Sequence, residues 1–142
     1  MYTGLQHLHS FLAYILLAAI IIPLVYVTIR FVKQGAFDEK VRKMALAGFI
    51  VSHLQLLIGI VLYVISPVGL SNLSAEAMQG ALSRLYAVEH PLTMIIAIVL
   101  ISIGYIKAKK PGDDARRFKT IIIFYGLGLI LVLIRIPWQV WP

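Results

Sequence analysis

HSFLAYILLAAIIIPLVYVTI, residues 9–29, runs for 21 residues without a Lys, Arg, Asp or Glu, and its reading decides the fold. A helix needs about 20 mostly apolar residues to cross the roughly 30 Å hydrocarbon core of a bilayer, so this stretch reads as a transmembrane span. It stops at Arg30-Phe31-Val32-Lys33, where charge returns. Outward from it, three more runs of the same kind follow, so the spans are placed at about 9–31, 44–65, 85–106 and 118–137. The second ends at Ser66-Pro67-Val68-Gly69, whose Pro and Gly punctuate a helix end.

Composition agrees with that reading. The 142-residue chain is 61% hydrophobic and 13% charged, with mean hydropathy +0.92, against roughly 25% charged in soluble domains. Four spans with short connections use nearly all of it and leave no room for a soluble catalytic domain. The expected fold is therefore all-α, an integral membrane four-helix bundle forming a single domain. Between spans two and three, Asn72 to Arg84 reads as a short surface helix, with Ser74 as its cap and Glu76 in its first turn.

Basic residues set the expected orientation. Of thirteen Lys and Arg, five lie at the first junction (Arg30, Lys33, Lys40, Arg42, Lys43) and six at the third (Lys107, Lys109, Lys110, Arg116, Arg117, Lys119). Basic loops stay in the cytoplasm, so both termini and the Asn72 to Arg84 segment are expected outside. The net charge of +7 is accounted for by contact with anionic membrane lipids and calls for no nucleic acid. Met1 to Gln6 carries no Lys or Arg, and no small-residue cleavage site follows the first run, so the segment does not read as a signal peptide.

Chemistry in such a chain has few carriers. Without cysteine there are no disulfides, thiolate metal sites, iron–sulfur clusters or covalent c-type heme attachment, so any heme is held non-covalently. There is no Gly-rich phosphate loop, HExxH zinc site or Ser-His-Asp set. Asp38, Glu39, Asp113 and Asp114 sit in the basic loops and read as solvated counter-charges. Four histidines remain: His7, His9, His53 and His90. A transmembrane imidazole is costly to bury alone and titrates near neutral pH, so it reads as a metal or heme ligand, a proton relay or polar glue.

Depth sorts them. At about 1.5 Å per residue, His9 lies roughly 30 Å above Ile29 and His90 roughly 24 Å above Ile106, within about one turn of each other near the outer face. His53 lies only about 14 Å from Met44, close to the bilayer centre, with no histidine at its level. Two residues along a helix is about 200° of rotation, so His7 and His9 cannot both face one iron, and either one is open as the ligand. Arg135 falls near the level of His90, where it could bind a heme propionate or pair with Glu89. His53 with Gln55 reads as an interhelical hydrogen bond, or as a contact to a quinone headgroup or a proton relay.

Three stretches together resemble a known family. Gln6-His7-Leu8-His9-Ser10-Phe11-Leu12-Ala13-Tyr14, Gln55-Leu56-Leu57-Ile58-Gly59 and Glu89-His90-Pro91-Leu92 are similar to one four-helix half of heme A synthase, and the chain also resembles small four-helix membrane proteins of cytochrome b type. The resemblance implies that His9 and His90 are paired axial ligands. It departs at Gln6, which stands where that synthase has a glutamate tied to its oxidation chemistry, and at Ser10, which replaces an arginine. Catalytic activity is therefore not carried over.

The expectation is a multi-pass protein of a bacterial plasma membrane that binds heme b through His9 and His90 and transfers electrons. Its partners would be a quinol or another redox protein in the membrane, and it could form a homodimer or join a larger complex. The alternatives are a heme-free accessory or assembly subunit, and a copper site built from His7, His9 and His90. Tyr2, Tyr63, Trp138 and Trp141 read as an outer aromatic belt. Pro23 should kink the first span, and Gly59, Gly104, Gly126 and Gly128 mark close helix packing.

Overall fold

The computed structural model describes residues 1–141. Its long helices are α1 (Tyr2–Val32), α2 (Glu39–Ile65), α5 (His90–Ala108) and α6 (Asp114–Arg135), with short α3 (Ala75–Gln79) and α4 (Ala81–Arg84) between them. A π-helical turn, Leu85–Glu89, joins α4 to α5, so the third long rod runs unbroken over Ala81–Ala108. All four rods are long and apolar enough to cross a membrane, the pattern of a multi-pass membrane protein. Only 22% to 33% of each rod's apolar window is fully buried, so the rods keep a broad apolar surface outward, where lipid is the compatible solvent.

Helix ends follow local chemistry. Asp38 caps α2 by accepting from the Val41 amide at 3.0 Å, and Asp113 caps α6 through the Arg116 amide at 2.9 Å. Asp38 also pairs with Arg30 at 3.0 Å, and Asp114 accepts from the Phe37 amide at 3.0 Å, tying the two basic connections together. These carboxylates are thus structural, and more than the solvated counter-charges expected. Glu39 keeps the plainer role, in surface pairs with Arg42 and Lys43.

The expected surface helix over Asn72 to Arg84 is not one element. A 3-10 turn over Leu70–Asn72 is followed by α3, capped as expected by Ser74 through the Ala77 amide at 3.1 Å. From Ala81 the chain already belongs to the third rod. Gly80 interrupts the helical run between the two.

Cyclic neighbours in the bundle are α1–α2, α2–α5, α5–α6 and α6–α1, so α1 and α5 face each other across the diagonal. Short connections make the rods alternate in direction, which puts the two basic connections at one end. Both described chain ends and the α3 region lie at the other. That basic half is densely packed around Ile20, Phe118, Ile121 and Tyr125, all at most 1% exposed.

Pro23 lies inside α1, which continues through it. Because Pro has no N–H, the Ala19 carbonyl one turn earlier has no helical donor. It faces Gly48 of α2, where a Cβ would come within 2.7 Å of that oxygen. The two helices therefore approach closely at this level, and Tyr125 seals the contact by donating its hydroxyl to the Ala45 carbonyl at 2.6 Å.

Candidate functional site

Away from the basic end, the bundle opens around a cavity of about 690 Å³ with mostly apolar walls. That size lies within the range of about 300–1,000 Å³ usual for sites that enclose small molecules or cofactors. From α1, Gln6, His9, Ser10 and Ala13 border it, a helical i, i+3, i+4, i+7 face. Residues from α2, from the π turn and α5, and from the start of the tail after α6 complete the wall.

His9 and His90 meet inside it. They come from diagonally opposed helices, and their ring centroids are 6.3 Å apart with planes at 81°. A metal ion at a typical distance of about 2.0–2.1 Å from each imidazole nitrogen, with each nitrogen about 1.1 Å from its ring centre, would put the centroids about 6.3 Å apart if both nitrogens point at it. Edge-to-face ring packing occurs at such separations too, so the distance gains its meaning from the cavity that both rings border.

The surroundings of each ring suit ligation. His90 Nδ1 is 2.7 Å from the Arg135 carbonyl oxygen, which can only accept, so the proton lies on Nδ1 and Nε2 keeps its lone pair. Metal-binding histidines commonly make this backbone contact. His9 packs against Gly59 of α2, where a Cβ would lie 3.2 Å from Cε1. The missing side chain leaves the ring its place. His9 Nδ1 is buried without a partner, and the Gln55 amide donates to the His9 backbone oxygen at 2.9 Å.

His90 begins α5 directly after the π turn, a conformation that often marks functional sites. Pro91 follows as the second residue of α5, and because it has no N–H, the Ala87 carbonyl four residues earlier gets no helical donor from it. Tyr63 of α2 donates its hydroxyl to the Ala87 carbonyl inside the turn at 2.8 Å. The wider helical loop is thereby held in place just ahead of His90.

The other predicted residues lie elsewhere. His7 is exposed and does not border the cavity, as the 200° argument required of one of the pair. His53 also stays outside it. Its Nδ1 lies 2.7 Å from the Phe49 carbonyl oxygen and its Nε2 3.3 Å from Ser102 Oγ, a contact that ties α2 to α5 away from this cavity. The Arg135 guanidinium pairs with Glu89 at 3.7 Å and does not border the cavity, so its service to the site is its backbone oxygen. Glu89 is bonded more closely by Arg84, at 2.8 Å.

Sequence reasoning missed part of the wall. Tyr2, Tyr63 and Trp141, expected to form only an aromatic belt, border the cavity, while Trp138 remains exposed. Trp141 stacks on Tyr14 with centroids 4.5 Å apart and donates to the Ser10 carbonyl at 3.4 Å. A signal was present in Pro137, which ends α6 and lets the tail turn back over the bundle.

A copper site of His7, His9 and His90 does not assemble, since His7 lies apart. Among the described residues no group of three or more His, Asp or Glu is placed to hold a bare metal ion. A two-histidine heme site needs no such group. A second pocket of about 350 Å³ lies at the basic end beside Phe31, Gln34, Gly35 and Asp114. Its one carboxylate is already bonded to the Phe37 amide. Among known proteins, no described family, no curated protein and no solved structure matches the chain.

Proposed function

We propose that this chain is a membrane cytochrome of b type that holds heme b between His9 and His90. The observation that carries the reading is the 6.3 Å separation of two imidazoles on opposed helices, both bordering a cavity of about 690 Å³. The resemblance of the first and third spans to one half of heme A synthase supports the same pair. Heme bound by two histidines supplies one-electron transfer without an open coordination position. His90 is oriented by the Arg135 carbonyl, Gly59 makes room for His9, and the apolar wall keeps water from the ring faces.

With basic loops in the cytoplasm, the cavity lies in the outer half of a bacterial plasma membrane. Electrons would pass between a quinol or a membrane redox partner and an acceptor outside. The heme-free accessory subunit is the competing reading. The optical spectrum of detergent-purified protein, expressed with heme supplied and reduced with dithionite, separates the two. A low-spin b-type α-band at near-stoichiometric amount is expected. A colourless preparation would overturn the cytochrome reading.

A further inference from the structure

Two buried polar atoms without a partner lie on residues that touch. His9 Nδ1 and Gln55 Oε1 both lack a hydrogen bond, although the Gln55 Nε2 donates to the His9 backbone oxygen at 2.9 Å. The amide cannot be reversed, because its oxygen would then face another oxygen. Gln55 is 7% exposed, so water of the bulk does not satisfy it.

An amide oxygen can only accept, whereas an imidazole nitrogen carries a proton in one tautomer and a lone pair in the other. The two atoms are complementary only when His9 is protonated on Nδ1. Gly59 lies one turn beyond Gln55 on the same face of α2, and a Cβ there would stand 3.7 Å from Nδ1. A side chain in that place would crowd the ring; glycine leaves it open. Gln55, Gly59 and His9 all border the cavity.

We infer that Gln55 is the positioning residue of His9. Its amide oxygen accepts the Nδ1 proton, through a side-chain rotation or one bridging water, and leaves Nε2 as the lone-pair nitrogen. The same tautomer is imposed on His90 by the Arg135 carbonyl, so both rings carry neutral acceptors behind them. The consequence for a bound heme rests on the cytochrome reading. The tautomer itself does not.

The test begins with heme-free protein, labelled with 15N-histidine and observed by NMR in detergent. His9 in the wild type shows the Nδ1–H signature, and Gln55→Met moves it toward Nε2–H while His90 stays unchanged. Unchanged His9 shifts in Gln55→Met overturn the inference. If that variant does not fold, the wild type alone decides, and an Nε2–H signature for His9 overturns the inference.

In heme-loaded protein, the acceptor behind His9 would bear on the midpoint potential. Gln55→Met raises it and weakens heme retention by about 10-fold to 100-fold, the usual effect of removing such a partner. A colourless wild type with a Gln55-dependent tautomer defeats the heme reading alone. Heme binding with a Gln55-independent tautomer defeats the Gln55 inference alone.

Discussion

Gly48→Ala and Gly126→Ala are the same chemical change in two long helices, and the structure assigns them opposite signs. At Gly48 the new methyl carbon would lie 2.7 Å from the Ala19 carbonyl oxygen and 3.1 Å from Tyr125 Cε2. Comfortable carbon–oxygen contacts are about 3.3–3.6 Å, so the α1–α2 pair has to open by about 0.6 Å or more. Overpacking of this kind costs about 1–3 kcal/mol. At Gly126 the methyl meets nothing within 4 Å.

Replacing a mid-helix Gly by Ala gains about 0.5–1 kcal/mol from backbone entropy at either site, a term that cancels between the two variants. Their stabilities should therefore differ by about 1–3 kcal/mol, with Gly126→Ala the more stable. In a chain of this size that is a gap of about 3–9 °C in melting temperature. Thermal unfolding of both variants in one detergent, followed by circular dichroism, measures it. Equal melting points, or a higher one for Gly48→Ala, would refute the close α1–α2 approach at Pro23. Gly59, which seats His9, lies on the same α2 face about 16 Å along the axis, so Gly48→Ala should also loosen heme retention where Gly126→Ala does not.

The remaining predictions concern the site. His9→Ala and His90→Ala should each abolish the six-coordinate low-spin spectrum while His7→Ala keeps it, and loss of the spectrum in His7→Ala would reverse the assignment between the two first-helix histidines. Tyr63→Phe removes the donor to the buried Ala87 carbonyl, at a cost of about 1–3 kcal/mol. An unchanged melting temperature in that variant would mean that the π turn ahead of His90 does not depend on Tyr63.

Much of this was legible from residue order. The four rods follow from apolar runs of bilayer length, and depth counting alone paired His9 with His90, because rise per residue is nearly constant in a helix. Rotation about the axis also separated His7 from His9. What could not be read was tertiary. Tyr63 and Trp141 belong to the aromatic class common at membrane interfaces, and only the π turn at Leu85–Glu89 and the tail folding back after Pro137 bring them inward. The span estimates followed hydropathy, whereas the helices continue through polar residues such as Gln6 and Glu39 that backbone hydrogen bonding includes without regard to lipid. Asp114 looked like a loop charge because its acceptor role depends on the Phe37 amide, 77 residues away in sequence.

The uneven packing of the bundle carries its own argument about function. The 690 Å³ cavity opens in part to the outside of the bundle, so it is a recess between the helices and not a sealed void. The basic half shows that this chain can close its core, with Phe118, Ile121 and Tyr125 filling it. At the other half small residues such as Ala13, Ala87 and Gly59 face the cavity where larger ones would have filled it. Lipid tails entering that recess would satisfy its apolar wall but leave two imidazoles facing hydrocarbon. The proposed heme, a flat apolar ligand with a metal at its centre, would satisfy both. Native mass spectrometry of the purified protein distinguishes the cases, since one heme adds a single defined mass whereas acyl chains give a distributed series, and the distributed series alone would argue against the cofactor.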